Sequence, residues 1–214
     1  MNYLLVDLFS YSIAFSGIIG LVRFKKIDKA YYPFIYLLWV GLANEFASSL
    51  CNKYYKTNVV PSNIYCLSES LLILWFFRNM RLFEKERNFW VLFVLYLFLY
   101  GIQVSIFSFF SFTSYYNIIY YFVTVILSIH LIQKLLLSEQ GKLVKSPAFL
   151  ISICFIFYFM VSMITEIFWL YGLTGTSDFE TAVYRIVTYG NLAVNLIFIL
   201  VVLWIPTKSD YTRP

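Results

Sequence analysis

The chain has 214 residues, of which 61% are hydrophobic, 22% aromatic and 13% charged, and its mean hydropathy is +0.77. A soluble domain carries about a quarter charged residues, so this composition excludes an ordinary soluble globule. Continuous apolar runs of about 20 residues mark a polytopic helical membrane protein, and without period-two alternation an outer-membrane barrel is excluded. The net charge of +5 is spread over short loops, which points to the lipid bilayer as partner and away from nucleic acid.

The hydropathy pattern predicts an all-α bundle of seven transmembrane helices in one domain, 1–214, with segments at 3–22, 31–51, 61–77, 89–108, 115–137, 147–171 and 180–205. Pro33, Pro61 and Pro147 stand near helix starts, where a missing N–H costs little, and Pro206 closes the last segment. Ala14-Phe15-Ser16 resembles a signal-peptide cleavage site. A basic leading region is missing, however, and Asp7 is acidic, so a retained first helix is expected.

Loop charges set the expected orientation. Arg23, Lys25, Lys26 and Lys29 follow the first segment, Arg78, Arg81, Lys85 and Arg87 the third, Lys134, Lys142 and Lys145 the fifth, and Lys208 and Arg213 the seventh. The other side offers Lys53 and Lys56 with the acidic Asp178 and Glu180. The positive-inside rule then places the N-terminus outside and the C-terminus in the cytoplasm, which requires an odd number of spans.

Trp75, Trp90 and Trp204 fall near the inner interface, and Trp169 and Tyr171 near the outer one. Ser12, Ser16 and Gly20 repeat every fourth residue, as do Ala43 and Ala47, and small residues so spaced predict close helix packing. Cys51, Cys66 and Cys154 are too scattered for a disulfide framework or zinc site, and buried free thiols are expected. Segments one to three and five to seven run in the same directions, and Asn44-Glu45 and Thr165-Glu166 occupy corresponding places, which admits a 3+1+3 parallel repeat.

The informative residues are the polar ones inside these segments. In the last segment Thr181, Arg185, Thr188, Asn191 and Asn195 recur every three or four residues and form one stripe on a helix. An arginine in a bilayer costs a few kcal/mol or more and calls for a carboxylate partner. Glu45, Glu69, Glu166 and Arg185 all fall roughly 7–12 Å below the expected outer surface at 1.5 Å of rise per residue. One outer-leaflet layer is therefore expected, with Arg185 clamped by one glutamate. Asn44, Ser62, Tyr65, Gln103, Thr165, Tyr184, Thr188 and Asn191 lie at compatible depths. Asn117, Tyr121, Thr124 and Ser128 form a second inward stripe.

Catalytic and cofactor signatures are missing. The last segment has no lysine before Lys208, which excludes a retinal Schiff base. Phosphate-loop, nucleophile-elbow, metalloprotease and dinucleotide motifs are absent, and the lone His130 excludes a multi-histidine zinc site. No cofactor or metal is expected.

Three stretches, Ser62-Asn63-Ile64-Tyr65-Cys66-Leu67-Ser68-Glu69-Ser70, Glu166-Ile167-Phe168-Trp169 and Asn191-Leu192-Ala193-Val194-Asn195 with Trp204-Ile205-Pro206, resemble a group of seven-span proteins of Bacteroidota. That resemblance implies a bacterial inner-membrane location and, the group having no known activity, no functional residue. Three readings stay open. The first is an outward-facing polar cavity binding a small polar or cationic ligand for transport or sensing, with a protein partner if it signals. The others are a structural or accessory subunit with a packing-only polar cluster, and a lipid-acting enzyme using glutamate acid/base chemistry.

The orientation is testable by thiol labelling in intact cells, with Cys51, Cys66 and Cys154 replaced by serine. A membrane-impermeant maleimide labels Lys56→Cys before lysis and Arg87→Cys after it; the reverse order overturns the topology.

Overall fold

The computed structural model describes residues 11–138, 143–172 and 177–207. They form seven α-helices: α1 Ile13–Arg23, α2 Tyr32–Tyr55, α3 Val59–Asn79, α4 Glu86–Phe107, α5 Ser114–Ser138, α6 Pro147–Leu170 and α7 Ser177–Trp204. Short 3-10 turns, Lys29–Tyr31 and Leu143–Lys145, precede α2 and α6. Among the described residues there is no strand beyond one isolated bridge, Ile27 to Thr207. Six helices, α2 to α7, are long and apolar enough to cross a membrane. The described part of α1 is an apolar helix of 11 residues, and the first half of the expected segment 3–22 lies outside the described residues.

Local chemistry accounts for the helix boundaries. Pro33 and Pro147 sit in the first turns of α2 and α6, where their fixed φ suits a helix. Asp28 accepts the Ala30 N–H at 2.8 Å and caps the turn that feeds α2. Lys56 ends α2 in the left-handed region, as Arg81 does the turn after α3.

Six helices form a closed ring in the order α1, α2, α3, α5, α6, α7, with α7 returning to α1. The fourth helix, α4, lies outside the ring and packs on α3 and α5. Its apolar surface is correspondingly the least covered of the six long helices, with Phe98 and Ile106 exposed toward the lipid region. Phe34, Phe76, Phe155, Phe159 and Phe198 fill the ring. Several meet edge to face, as Phe34 and Phe198 do with centroids 5.0 Å apart.

The small-residue seam on α1 forms as expected: Ser12, Ser16 and Gly20 are all buried. Its counterpart on α2 does not run through Ala43 and Ala47, since Ala43 is exposed and Ala47 half-buried. The close approach is instead at Gly41, where an added Cβ would lie 2.8 Å from Ile13 Cδ1. Trp39 Nε1 donates to the Gly17 carbonyl at 3.0 Å, which turns the 39–41 face of α2 toward α1 and leaves Ala43 outside.

The basic loops do structural work at one end. The Arg23 guanidinium donates to the carbonyls of Val202, Leu203 and Ile205 and closes the C-terminus of α7. Lys134 donates to the Arg81 carbonyl just past α3, and Arg78 pairs with Glu86 across the α3–α4 turn. At the opposite end Asn63 is the organiser. Its amide donates to the Phe109 and Ser111 carbonyls at 2.9 and 2.8 Å, and its oxygen accepts the Thr113 N–H at 3.3 Å. Gln103 Oε1 accepts the Tyr116 N–H at 2.7 Å, which satisfies a first-turn donor of α5.

Asn63→Ala strands several loop groups at once in a buried place. A stability loss of about 1–3 kcal/mol is expected for each buried group left unpaired. The measurement is unfolding in detergent; an unchanged midpoint would refute the organiser role.

Candidate functional site

The α5 stripe brings the polar interior together. Asn117, Tyr120, Tyr121, Thr124 and Ser128 are all buried and recur at helical spacing on one face. From that face Tyr120 Oη donates to Glu69 Oε2 at 2.6 Å, while Tyr65, one turn before Glu69 on α3, donates to Oε1 at 2.6 Å. Glu69 is 4% exposed and holds both tyrosine hydroxyls. Three residues earlier on α5, Asn117 Nδ2 donates to Glu166 Oε1 at 3.0 Å, and Thr113 Oγ1 orients Asn117 through its oxygen at 3.3 Å. Because Asn117 and Tyr120 are three residues apart, the two carboxyls attach to α5 at levels about 4.5 Å apart.

Each carboxyl faces a different space. Glu166 is half-buried and lines a cleft of about 500 Å³ between α5, α6 and α7, together with Tyr121, Tyr158, Ser162, Thr165 and Trp169. Glu69 lines a cavity of about 40 Å³ deeper in the ring, with Tyr65, Tyr158, Asn191 and Asn195 as its other polar residues. Tyr158 borders both spaces. The floor of the inner cavity is fixed by Asn195, whose Nδ2 donates to Ser12 Oγ at 2.9 Å and to Asn191 Oδ1 at 3.4 Å.

The expected single layer divides in the structure. Glu69 and Tyr65 lie together, and Asn191 reaches the cavity they share. Glu166 belongs to the outer cleft. Glu45 is half-buried and lies within electrostatic reach of the Tyr158 hydroxyl. Asn44 accepts a bond from Ser48 on its own helix at 3.4 Å and lines neither space. Thr188 is half-buried on α7, and the side chains of Thr181 and Tyr184 lie outside the described residues.

The expected Arg185 clamp is corrected. Arg185 is exposed, and among the described residues no ion pair joins it to Glu45, Glu69 or Glu166. Helical geometry gives the reason. At about 100° per residue Arg185 lies about 180° round α7 from Val194 and about 80° from Asn195. Val194 and Asn195 are both buried, so the stripe slants and leaves its arginine on the outer edge.

Tyr120, Tyr158 and Asn63 carry much of this site and were not singled out by sequence reasoning. For Tyr120 the signal was present: it stands three residues after Asn117 and four before Thr124, inside the predicted stripe. An aromatic ring in an aromatic-rich helix reads as apolar until its hydroxyl is placed. Cys66 and Cys154 are buried free thiols, as expected, whereas Cys51 is a free thiol that is only half-buried.

The fold and this polar interior are those of a multi-pass helical membrane protein, with two polar spaces among the described residues that share Tyr158 in their walls. No protein-family model, curated protein or solved structure matches the chain.

A double-mutant cycle of Tyr120→Phe and Glu69→Leu tests the buried bond. A coupling of about 0.5–3 kcal/mol in detergent unfolding is expected. Strict additivity would show that the contact does not hold α3 to α5.

Proposed function

We propose that this chain is an inner-membrane protein that captures a small organic cation from the outer side in the cleft lined by Glu166, for transport or sensing. One observation carries the reading: a carboxylate stands among aromatic rings in a cleft of about 500 Å³. That volume suits a small molecule, since ligand pockets run from about 300 to 1,000 Å³. The Glu166 carboxylate supplies the acidic group, and the aromatic residues Tyr121, Tyr158 and Trp169 in the lining supply rings for the cation–π attraction that favours ammonium groups over neutral isosteres. Asn117 holds one carboxylate oxygen, which orients the group toward the cleft.

The bacterial location rests on the sequence resemblance, and the orientation, N-terminus outside, on the loop charges. With that orientation the cleft opens outward, because Glu166 and Asn117 sit at the helix ends away from the basic loops. The place of α4 outside a ring of α1 to α3 and α5 to α7 supports the 3+1+3 arrangement. The acid–base enzyme reading is less well supported, since Glu69 and Glu166 line different spaces. The accessory-subunit reading draws on Glu69, both of whose oxygens accept a tyrosine hydroxyl as a structural group would, but it leaves the outer cleft without a role.

The test is equilibrium binding of tetramethylammonium and choline to the purified protein, against 3,3-dimethylbutanol as the neutral isostere. Binding of the cations is expected to exceed that of the alcohol, and Glu166→Gln to weaken it by about tenfold or more, corresponding to about 1.4 kcal/mol. Trp169→Ala is expected to weaken it by about two- to thirtyfold, the range of a cation–π contact of about 0.5–2 kcal/mol. Equal binding of alcohol and ammonium, or no effect of Glu166→Gln, overturns the reading.

A further inference from the structure

The inner cavity poses a separate question, because its carboxyl has no cationic side chain paired with it among the described residues. Glu69 is 4% exposed, and among the described residues no lysine or arginine forms an ion pair with it. The titratable groups that face it are Tyr65 and Cys66 on α3, Tyr116, Tyr120 and Tyr121 on α5, and Tyr158 on α6. Glu45 on α2 interacts electrostatically with Tyr158 and Glu166 on α6 with Cys66, and neither brings a cation to the cavity. From α7 come the uncharged amides of Asn191 and Asn195, and from α1 and α2 the apolar Ile13, Leu37 and Leu38.

Two tyrosine hydroxyls satisfy lone pairs of an ionised carboxylate, but they do not cancel its charge. An ionised group so deeply buried is stable when a cation stands beside it, and otherwise it takes up a proton. The cavity against Glu69 is about 40 Å³, enough for one small guest, given that a water molecule's share of the liquid is about 30 Å³. Its polar lining offers a carboxylate, phenol hydroxyls and amide oxygens, and the cavity has no sulfur or imidazole donor. Such oxygen donors suit hard cations. One carboxylate matches one positive charge, and a divalent ion would leave a net charge among Phe155, Phe159 and Phe198.

We infer that the Glu69 cavity is an exchangeable site for one monovalent inorganic cation, a proton or an alkali ion, reached from the outer cleft past Tyr158. In the proton case hydronium gives its proton to a carboxylate oxygen, one O–H bond breaking as the other forms and water being left; on release water takes the proton back as hydronium. In the alkali case the ion sits among the Glu69, Tyr65 and Asn191 oxygens. The site does not depend on which ligand the outer cleft takes. Tyr158 borders both spaces and stands on the route between them.

The experiment uses the full chain purified in detergent and has two arms. Radioactive sodium and rubidium are titrated at alkaline pH, and the infrared carboxyl band is followed against pH without alkali ions. An alkali site gives saturable binding of about one ion per chain that is lost in Glu69→Gln and weakened at least tenfold in Asn191→Leu, which fills the cavity from α7. A proton site gives a carboxylic-acid band that titrates and disappears in Glu69→Gln; Glu69→Asp, which shifts the band, serves if the glutamine variant does not fold. Tetramethylammonium binding is measured alongside on Glu69→Gln or, where that variant does not fold, on Glu69→Asp, and is expected to persist, so the two sites stand or fall separately. Absence of both alkali binding and a titrating Glu69 band overturns the inference.

Discussion

The two tyrosine hydroxyls on Glu69 are the contact on which the interior of the ring depends. The Tyr120 hydroxyl joins α3 to α5 directly, with α4 packed outside the two, while Tyr65, on α3 itself, holds the other carboxylate oxygen. Apolar packing alone would not select that neighbour relation, since in a bilayer every helix is surrounded by equally apolar material. A buried carboxyl does select it, because it must find donors and few are available at that depth. Once α3 and α5 are fixed, Asn117 meets Glu166 and α6 is registered on α5.

The same requirement operates at both ends of the bundle. Backbone groups at helix termini have no water to turn to near the hydrocarbon region, so side chains supply their partners. Asn63 and Gln103 do this where α5 begins. Arg23 and Lys134 do it where α7 ends and just beyond α3. The basic residues at this end therefore close carbonyl ends, where cations are favoured by the helix dipole.

With the ends and the α3–α5 contact in place, the polar groups divide into an outer cleft and an inner cavity with Tyr158 between them. The cleft sets one carboxyl group among aromatic residues; the cavity sets one among hydroxyls and amides. Those are different recognition chemistries, the first suited to a soft organic cation and the second to a small hard one. A residue shared by both walls gives a short physical route for coupling them.

The amino-acid sequence by itself determined the class and the places of the six long apolar helices, with limits that differ from the observed ones by up to four residues. Runs of about 20 apolar residues leave the backbone no alternative to a helix in lipid, and the prolines at 33 and 147 mark where α2 and α6 begin. The polar residues that matter were also legible, Glu69 with Tyr65 one turn away above all, since both lie on one helix. What the tertiary structure decided is which helices face each other. Tyr120 became a partner of Glu69, Gly41 rather than Ala43 took the close approach, and Arg185 was left on the outer edge of its stripe. Helical periodicity gives the angle of a residue round its own axis, but the rotation of that axis within the ring is set by packing against neighbours distant in sequence.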